Sequence, residues 1–314
     1  MKFVVDNIDM TAAVGNLSWQ NTLAEISTTL SFETPKSDVR HTNIYVPQAG
    51  TIVRMYTFDE MFRGIILSVD DGNPKVNKYT VADFGWYLNK SKETYQFNSM
   101  PAYKAITKVC ADFNIPIHII PELNQLITKI YFDKTISEII SDILTLCGGG
   151  YNYDITAYGL RVYKIGDIVI QPNFKLSPNT KSVDSVFLRG IESHSVSMEE
   201  MKNSIKVITE KDNKFTVQKV LRDENSISKY GLLQEVIKID PEKENANTVA
   251  TQNLAELNKL KETYSFEIIE DINSYTRAGY VIPVSGHNYV IESSGHSIKK
   301  GIHYVKLDLR KVVL

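Results

Sequence analysis

Four pairs of adjacent carboxylates are the residues best equipped for chemistry: Asp59-Glu60, Asp70-Asp71, Glu199-Glu200 and Glu270-Asp271. Paired carboxylates can divide acid and base roles in glycoside cleavage or ligate a divalent cation. Each pair falls in a turn or at the end of an element, where charged side chains are simply solvated, and none has the spacing of a calcium loop. The six histidines, His41, His118, His194, His287, His296 and His303, are scattered singly. They lack the His-Glu-x-x-His or Cys-x-x-Cys grouping that brings zinc ligands together. Gly148-Gly149-Gly150 could suggest a phosphate cradle, but such a loop precedes a helix and these glycines follow one, so helix termination explains them. No Gly-x-Ser-x-Gly elbow is present, and Ser293-Ser294-Gly295-His296 reads as a turn. The sequence therefore assigns no catalytic, cofactor-binding or metal-binding residue and calls for no cofactor. A hydrolase would need a triad assembled from distant residues.

The two cysteines, Cys110 and Cys147, both fall on apolar helix faces and read as buried free thiols. The 37 acidic and 35 basic residues nearly cancel, so the chain has no global attraction for nucleic acid or anionic lipid. The aromatic residues lie in strands without basic interleaving, which favours sheet packing over base stacking. The opening Met1-Lys2-Phe3-Val4-Val5-Asp6 lacks a secretory h-region, and no run approaches the ~18 apolar residues of a membrane span. A soluble protein made in the cytoplasm is expected.

The elements around these residues are mostly strands. In His303–Arg310 the side chains of Val305, Leu307 and Leu309 alternate with Tyr304, Lys306, Asp308 and Arg310, the period of a half-buried strand. Arg277–Val284 and Tyr289–Ile291 complete a C-terminal meander. Near the N-terminus Ile26, Thr28, Leu30 and Phe32 share one strand face, Pro35 stops that strand, and further strands are expected at Asn43–Val46, Thr51–Thr57, Phe62–Val69 and Lys75–Val81.

After Trp86 the period changes to helical. Ala102, Ile106, Val109, Cys110 and Phe113 predict a helix capped by Ser99. Thr135-Ile136-Ser137-Glu138 is a capping box ahead of the stripe Ile136, Ile139, Ile140, Ile143, Leu144 and Cys147. Strands Tyr151–Thr156 and Leu160–Ile165 turn at Ala157-Tyr158-Gly159. Gln171–Asp184 reads as a linker. Ser204–Thr209 and Phe215–Leu221 suit a hairpin around Lys211-Asp212-Asn213-Lys214, and Asn247–Leu260 a helix with Ala250, Leu254, Leu257 and Leu260 inward. The fold class is α+β, predominantly β. Two β-rich domains, 1–85, which reads as a small barrel or sandwich, and 171–314 with an amphipathic helix, flank a mixed α+β domain, 86–170.

In this order the chain resembles the XkdQ/YqbQ-like baseplate hub proteins of contractile phage tails and related particles, such as PBSX-type prophages and R-type bacteriocins. The resemblance rests on Leu17-Ser18-Trp19-Gln20 with Ile26–Phe32, on Tyr79–Asn89, on Met198-Glu199-Glu200-Met201-Lys202-Asn203, on Tyr230–Glu235 and on Arg277–Pro283. It implies a homotrimeric ring in which each subunit gives two tube-type barrels. Six barrels would then meet the hexameric tail tube protein above and threefold symmetry the central spike protein below, with the mixed domain outside the ring. Other baseplate proteins would be neighbours, and the tape-measure protein or DNA would pass through without being gripped. Near-zero net charge suits such a conduit, and neither membrane anchoring nor sequence-specific nucleic-acid binding is expected.

The resemblance implies a structural symmetry adaptor without catalysis. Two other readings stay open on the residues alone. A tail-tip cell-wall hydrolase would use carboxylates such as Glu199 or Asp70. A module binding host-surface carbohydrate would use exposed tyrosines such as Tyr151, Tyr153 and Tyr158.

Overall fold

The computed structural model describes residues 1–36, 45–170, 174–176, 186–211, 214–241, 245–270, 276–284 and 287–311. It is predominantly β, with few helices. Thirteen strands form one sheet. Its order runs Phe174–Leu176, Val186–Ser197, Lys261–Ile269, Ile302–Lys311, His287–Lys299, Gly15–Thr22, Thr29–Pro35, Val76–Asp83, Glu60–Asp70, Ile52–Tyr56, Lys2–Val5, Ile8–Asp9, with Val281–Val284 paired to His287–Lys299.

Alternation places the side chains as the sequence predicts. Leu30, Phe32 and Thr34 are buried while Ser31 is exposed, and Val305, Leu307 and Leu309 are buried in the last strand. Partner choice is where structure and expectation part. Two separate barrels were expected, yet Gly15–Thr22 pairs antiparallel with His287–Lys299, Trp19 opposite His296, so the first and last parts of the chain share one sheet. Among the described residues this ladder does not close on itself. Alternation identifies a strand and its buried face, but not which strand lies beside it.

The chain forms two compact units, Met1–Ser193 with Tyr264–Leu314, and His194–Thr263. The first holds three apolar cores. One gathers Phe3, Trp19, Phe32, Met55 and Tyr79, and a second gathers Phe266, Ile291, Val305, Leu307 and Leu309. The third lies wholly between residues 88 and 162, where Ile106, Val109 and Cys110 of the helix Ala102–Asp112 meet Ile136, Ile139, Ile140 and Ile143 of the helix Ile136–Leu146.

The capping box of that second helix is formed. Glu138 N–H donates to the Thr135 hydroxyl at 3.2 Å and Thr135 N–H to the Glu138 carboxylate at 2.8 Å. Gly148, Gly149 and Gly150 all adopt positive φ, as the end of a helix requires. Ser99 is not the cap of the preceding helix. It lies inside the strand Lys92–Pro101 at φ 49°, its N–H bonded to the Thr128 hydroxyl, and Pro101 occupies the cap position.

Within the span expected as a single C-terminal barrel, 171–314, the second unit has its own core of Ile205, Val207, Ile239 and Ala250. Ser204–Lys211 pairs antiparallel with Lys214–Arg222 and parallel with Gln234–Lys238, and Ala246–Leu257 is the expected helix, although it ends before Leu260, which is exposed rather than inward. The parallel pairing requires a crossover. The short helix Glu224–Tyr230, capped by Asp223, lies in that connection. Its seven residues bury only Ser226, so no periodic signal announces it.

Asn43 and most of the linker Gln171–Asp184 lie outside the described residues, as do Asp212 and Asn213 of the expected hairpin turn. The described part of the linker, Phe174–Leu176, is a strand, whereas Tyr45 and Val46 are in none.

Candidate functional site

The chemistry-bearing residues converge where the strand His287–Lys299 runs between Ile302–Lys311 and Gly15–Thr22. Ser293-Ser294-Gly295-His296, expected as a turn, lies in the middle of that strand. A bulge between Ile291 and Ser293 shifts the register there, which brings Ser294 and His296 onto the face that Ile291 buries above it. In the neighbouring strand His303 sits opposite Ile298, two residues from the His296–Val305 pair and on the same buried face as Val305.

The two imidazoles meet, with His296 Nδ1 3.1 Å from His303 Nε2. Trp19 stacks on both rings, at 4.8 and 5.2 Å between centroids. Glu270, just beyond Lys261–Ile269, brings a carboxylate oxygen to 4.0 Å from His296 Nδ1, and its N–H donates to the His303 carbonyl at 3.0 Å. Thr276 donates its hydroxyl to the same carboxylate. The Ser294 hydroxyl lies 3.0 Å from His296 Nε2 and donates to the Thr276 carbonyl at 3.4 Å. Burial, then the neighbouring His303 and Arg277, hold the His296 imidazole well below its usual pKa, so it is neutral.

A second polar cluster adjoins the first. Asp154 accepts Arg161 Nε at 3.0 Å and Nη2 at 2.7 Å, and Arg277 Nε lies 3.4 Å from the same carboxylate. Arg277 also donates to the Thr28 hydroxyl, and the next N–H, that of Ala278, donates to Asn21. Thr28 N–H in turn donates to Asp83, which also accepts Gly85 N–H. Burial pushes the Asp83 carboxyl up to about 6 against these donors and Arg277. Residues of the early strands, the mixed region and the late strands are thus tied into one buried joint. A cavity of about 20 Å³ is bordered by residues of both clusters, Trp19, Thr28, Asp83, Thr276, Arg277 and His296. It has room for a single water and not for a substrate.

Elsewhere the structure keeps the expected residues apart. Asp59, Asp70, Asp71, Glu199 and Glu200 are exposed, Glu60 is paired with Arg63, and Glu200 with Lys261. Glu270 is the exception, buried at 4% exposure, and its neighbour Asp271 lies outside the described residues. Of the three tyrosines considered for carbohydrate binding, Tyr158 is exposed but Tyr153 is buried and donates to the Ser137 carbonyl. A larger cavity of about 620 Å³, lined by Phe84, Tyr87, Phe113 and Ile155 among others, has no carboxylate, histidine or cysteine among its described lining residues. Cys110 is buried and Cys147 half-buried, both as free thiols. No described helix is long and apolar enough to cross a membrane.

The His296–His303 meeting could not be read from sequence, because seven residues separate them and a bulge sets which face each takes. The available signal was that His303 falls in phase with Val305, Leu307 and Leu309.

Comparison with known proteins places this architecture. The model of the YQBQ-like family matches residues 17–310. XkdQ, a protein of the phage-like element PBSX in Bacillus subtilis strain 168, is 24% identical over 283 residues, covering 84% of this chain and 82% of XkdQ. Among solved structures, the 43 kDa tail protein of prophage MuSo2 from Shewanella oneidensis shares the fold at 11% identity and a TM-score of 0.72, over 98% of both chains. The E. coli c3393 protein shares it at 7% identity and a TM-score of 0.54, over 96% of this chain and 74% of that one. That protein is a component of the type VI secretion system with structural similarity to the T4 bacteriophage tail proteins gp27 and gp5.

Proposed function

The chain belongs to the YQBQ-like family, and from that premise we propose that it is a structural baseplate hub of a contractile tail or tail-like particle, a homotrimeric ring joining the sixfold tail tube to the threefold spike. The observation that carries this reading is the family match along nearly the whole chain. The fold shared end to end with a prophage tail protein supports it, as does the likeness to a protein that itself resembles phage tail components.

In this reading the β segments within 1–85 and 171–314 supply the two tube-facing parts of each subunit and 86–170 the mixed domain beside them. The sheet supports such an assembly. Among the described residues its end strands are the three-residue Phe174–Leu176 and the two-residue Ile8–Asp9. Such short edges do not template runaway pairing, and a closed ring covers them with neighbours. Tail tube, spike and other baseplate proteins are the proposed partners, and the particle baseplate is the proposed location.

The hub acts through surfaces and symmetry, without catalysis. A hydrolase reading gains nothing from the candidates Glu199 and Asp70, which are exposed and belong to neither buried cluster.

Native mass by light scattering tests the proposal, first on the purified chain and then on its mixture with the spike protein of the same gene cluster. A trimer, alone or on mixing, is expected. A persistent monomer with no spike binding would overturn it.

A further inference from the structure

We propose that Glu270, His296 and His303 form a buried binding site for one first-row divalent ion of the Zn²⁺ type, a structural clamp independent of the hub reading. Each residue offers one ligand atom, and these atoms all lie within 4.8 Å of one another. Tetrahedral zinc with bonds of about 2.0–2.1 Å sets its donors roughly 3.3 Å apart. The spacings of 3.1 Å between the imidazole nitrogens and 4.0 Å from His296 Nδ1 to the Glu270 carboxylate lie on either side of that value. Two imidazoles and a carboxylate suit zinc and its first-row neighbours, whereas calcium and magnesium favour all-oxygen sets.

The surroundings prepare His296 as a ligand. The Ser294 hydroxyl has one proton and donates it to the Thr276 carbonyl, so it accepts from His296 Nε2. With that direction the imidazole proton lies on Nε2 and the lone pair on Nδ1, the nitrogen facing His303 and Glu270. A hydrogen bond on the far nitrogen of this kind orients most metal-bound histidines.

Three protein donors leave one tetrahedral position. A cavity of about 20 Å³, bordered by Trp19, Thr276 and His296, lies beside His296 and is large enough for a single water. No substrate fits in it, so the ion would clamp structure. It would tie His287–Lys299 and Ile302–Lys311 to the end of Lys261–Ile269 beneath the Trp19 ring.

Without the ion, His303 and His296 share an N–H···N contact with their rings 20° apart. In the bound form His303 carries its proton on Nδ1, and its ring turns until both lone pairs converge on the metal.

The test uses the full chain with Zn²⁺, and with Co²⁺ as a spectroscopic probe. One Zn²⁺ per chain, a higher melting temperature with Zn²⁺ and the visible absorption of tetrahedral Co²⁺ are expected. His303→Gln should abolish the Co²⁺ absorption, and Ser294→Ala should weaken Zn²⁺ binding by roughly 10–100-fold. A wild-type chain that takes up no Zn²⁺ overturns the proposal, as does binding that persists in His303→Gln. If His303→Gln does not fold, the imidazole NMR signals of the wild-type chain decide. Both His296 and His303 must shift on Zn²⁺ addition, and unshifted signals overturn the site.

Discussion

Replacing Asp154 by Asn should destabilise the larger unit by about 3–5 kcal/mol, the loss usual when one partner of a buried ion pair is removed. Asp154 is 9% exposed at its side chain and serves two guanidinium groups, of Arg161 at 15% and Arg277 at 8% exposure. Burial works to strip the Arg161 proton, and the bonds to Asp154 outweigh it. An Asn amide keeps the shape but removes the charge, and it turns an NH₂ toward one of the three N–H groups that the carboxylate now faces. Arg161 retains some access to water, so the loss should fall toward the lower end of that range. Urea denaturation followed by tryptophan fluorescence isolates the unit, because both tryptophans, Trp19 and Trp86, lie in it. The control is Asp133→Asn, whose pair with Lys92 is 65% and 54% exposed and should contribute no more than about 1 kcal/mol. An Asp154→Asn loss as small as the control's would refute the view that this joint holds the early, mixed and late segments together.

Three further outcomes follow from particular contacts. The Asp83 carboxyl titrates at about 6 folded against 3.8 for an ordinary Asp. A raised folded pKa stabilises fully below the unfolded value and is lost as pH rises through the folded one, a swing of roughly 3 kcal/mol. Wild-type stability should therefore fall across that window relative to Asp83→Asn, and parallel pH profiles would contradict it. Gly159→Ala should cost on the order of 3 kcal/mol in urea denaturation, since φ is 123° and the new Cβ would lie 2.2 Å from the Pro116 carbonyl oxygen; unchanged stability would show that this close approach is absent. Burial pushes the Cys110 thiol up to about 12. Mass spectrometry should find it unmodified by a thiol reagent in the native chain and modified in denaturant, and rapid native labelling would contradict its burial.

Local patterns carried most of the elements. Thr135 to Glu138 announced a helix start, Val305, Leu307 and Leu309 a strand face, and Gly148 a helix end, because each depends on neighbours within a turn or a two-residue period. Ser99 misled because a capping residue type also suits an irregular strand position at positive φ. Pairing over long sequence separations was not legible: nothing in Ser18–Asn21 says that it lies beside Ser294–Ser297. The candidate site suffered most, since it depends on that pairing, on the bulge before Ser293 and on Glu270, whose neighbour Asp271 made it look like one more solvated pair.

The central claim is tested most directly by electron microscopy of the intact tail particle from a producing cell, reconstructed at the tip of the tube. Three copies of this chain, forming a ring between tube and spike, are predicted. A complete particle without the chain at that position, or with it in another symmetry, would contradict the hub assignment.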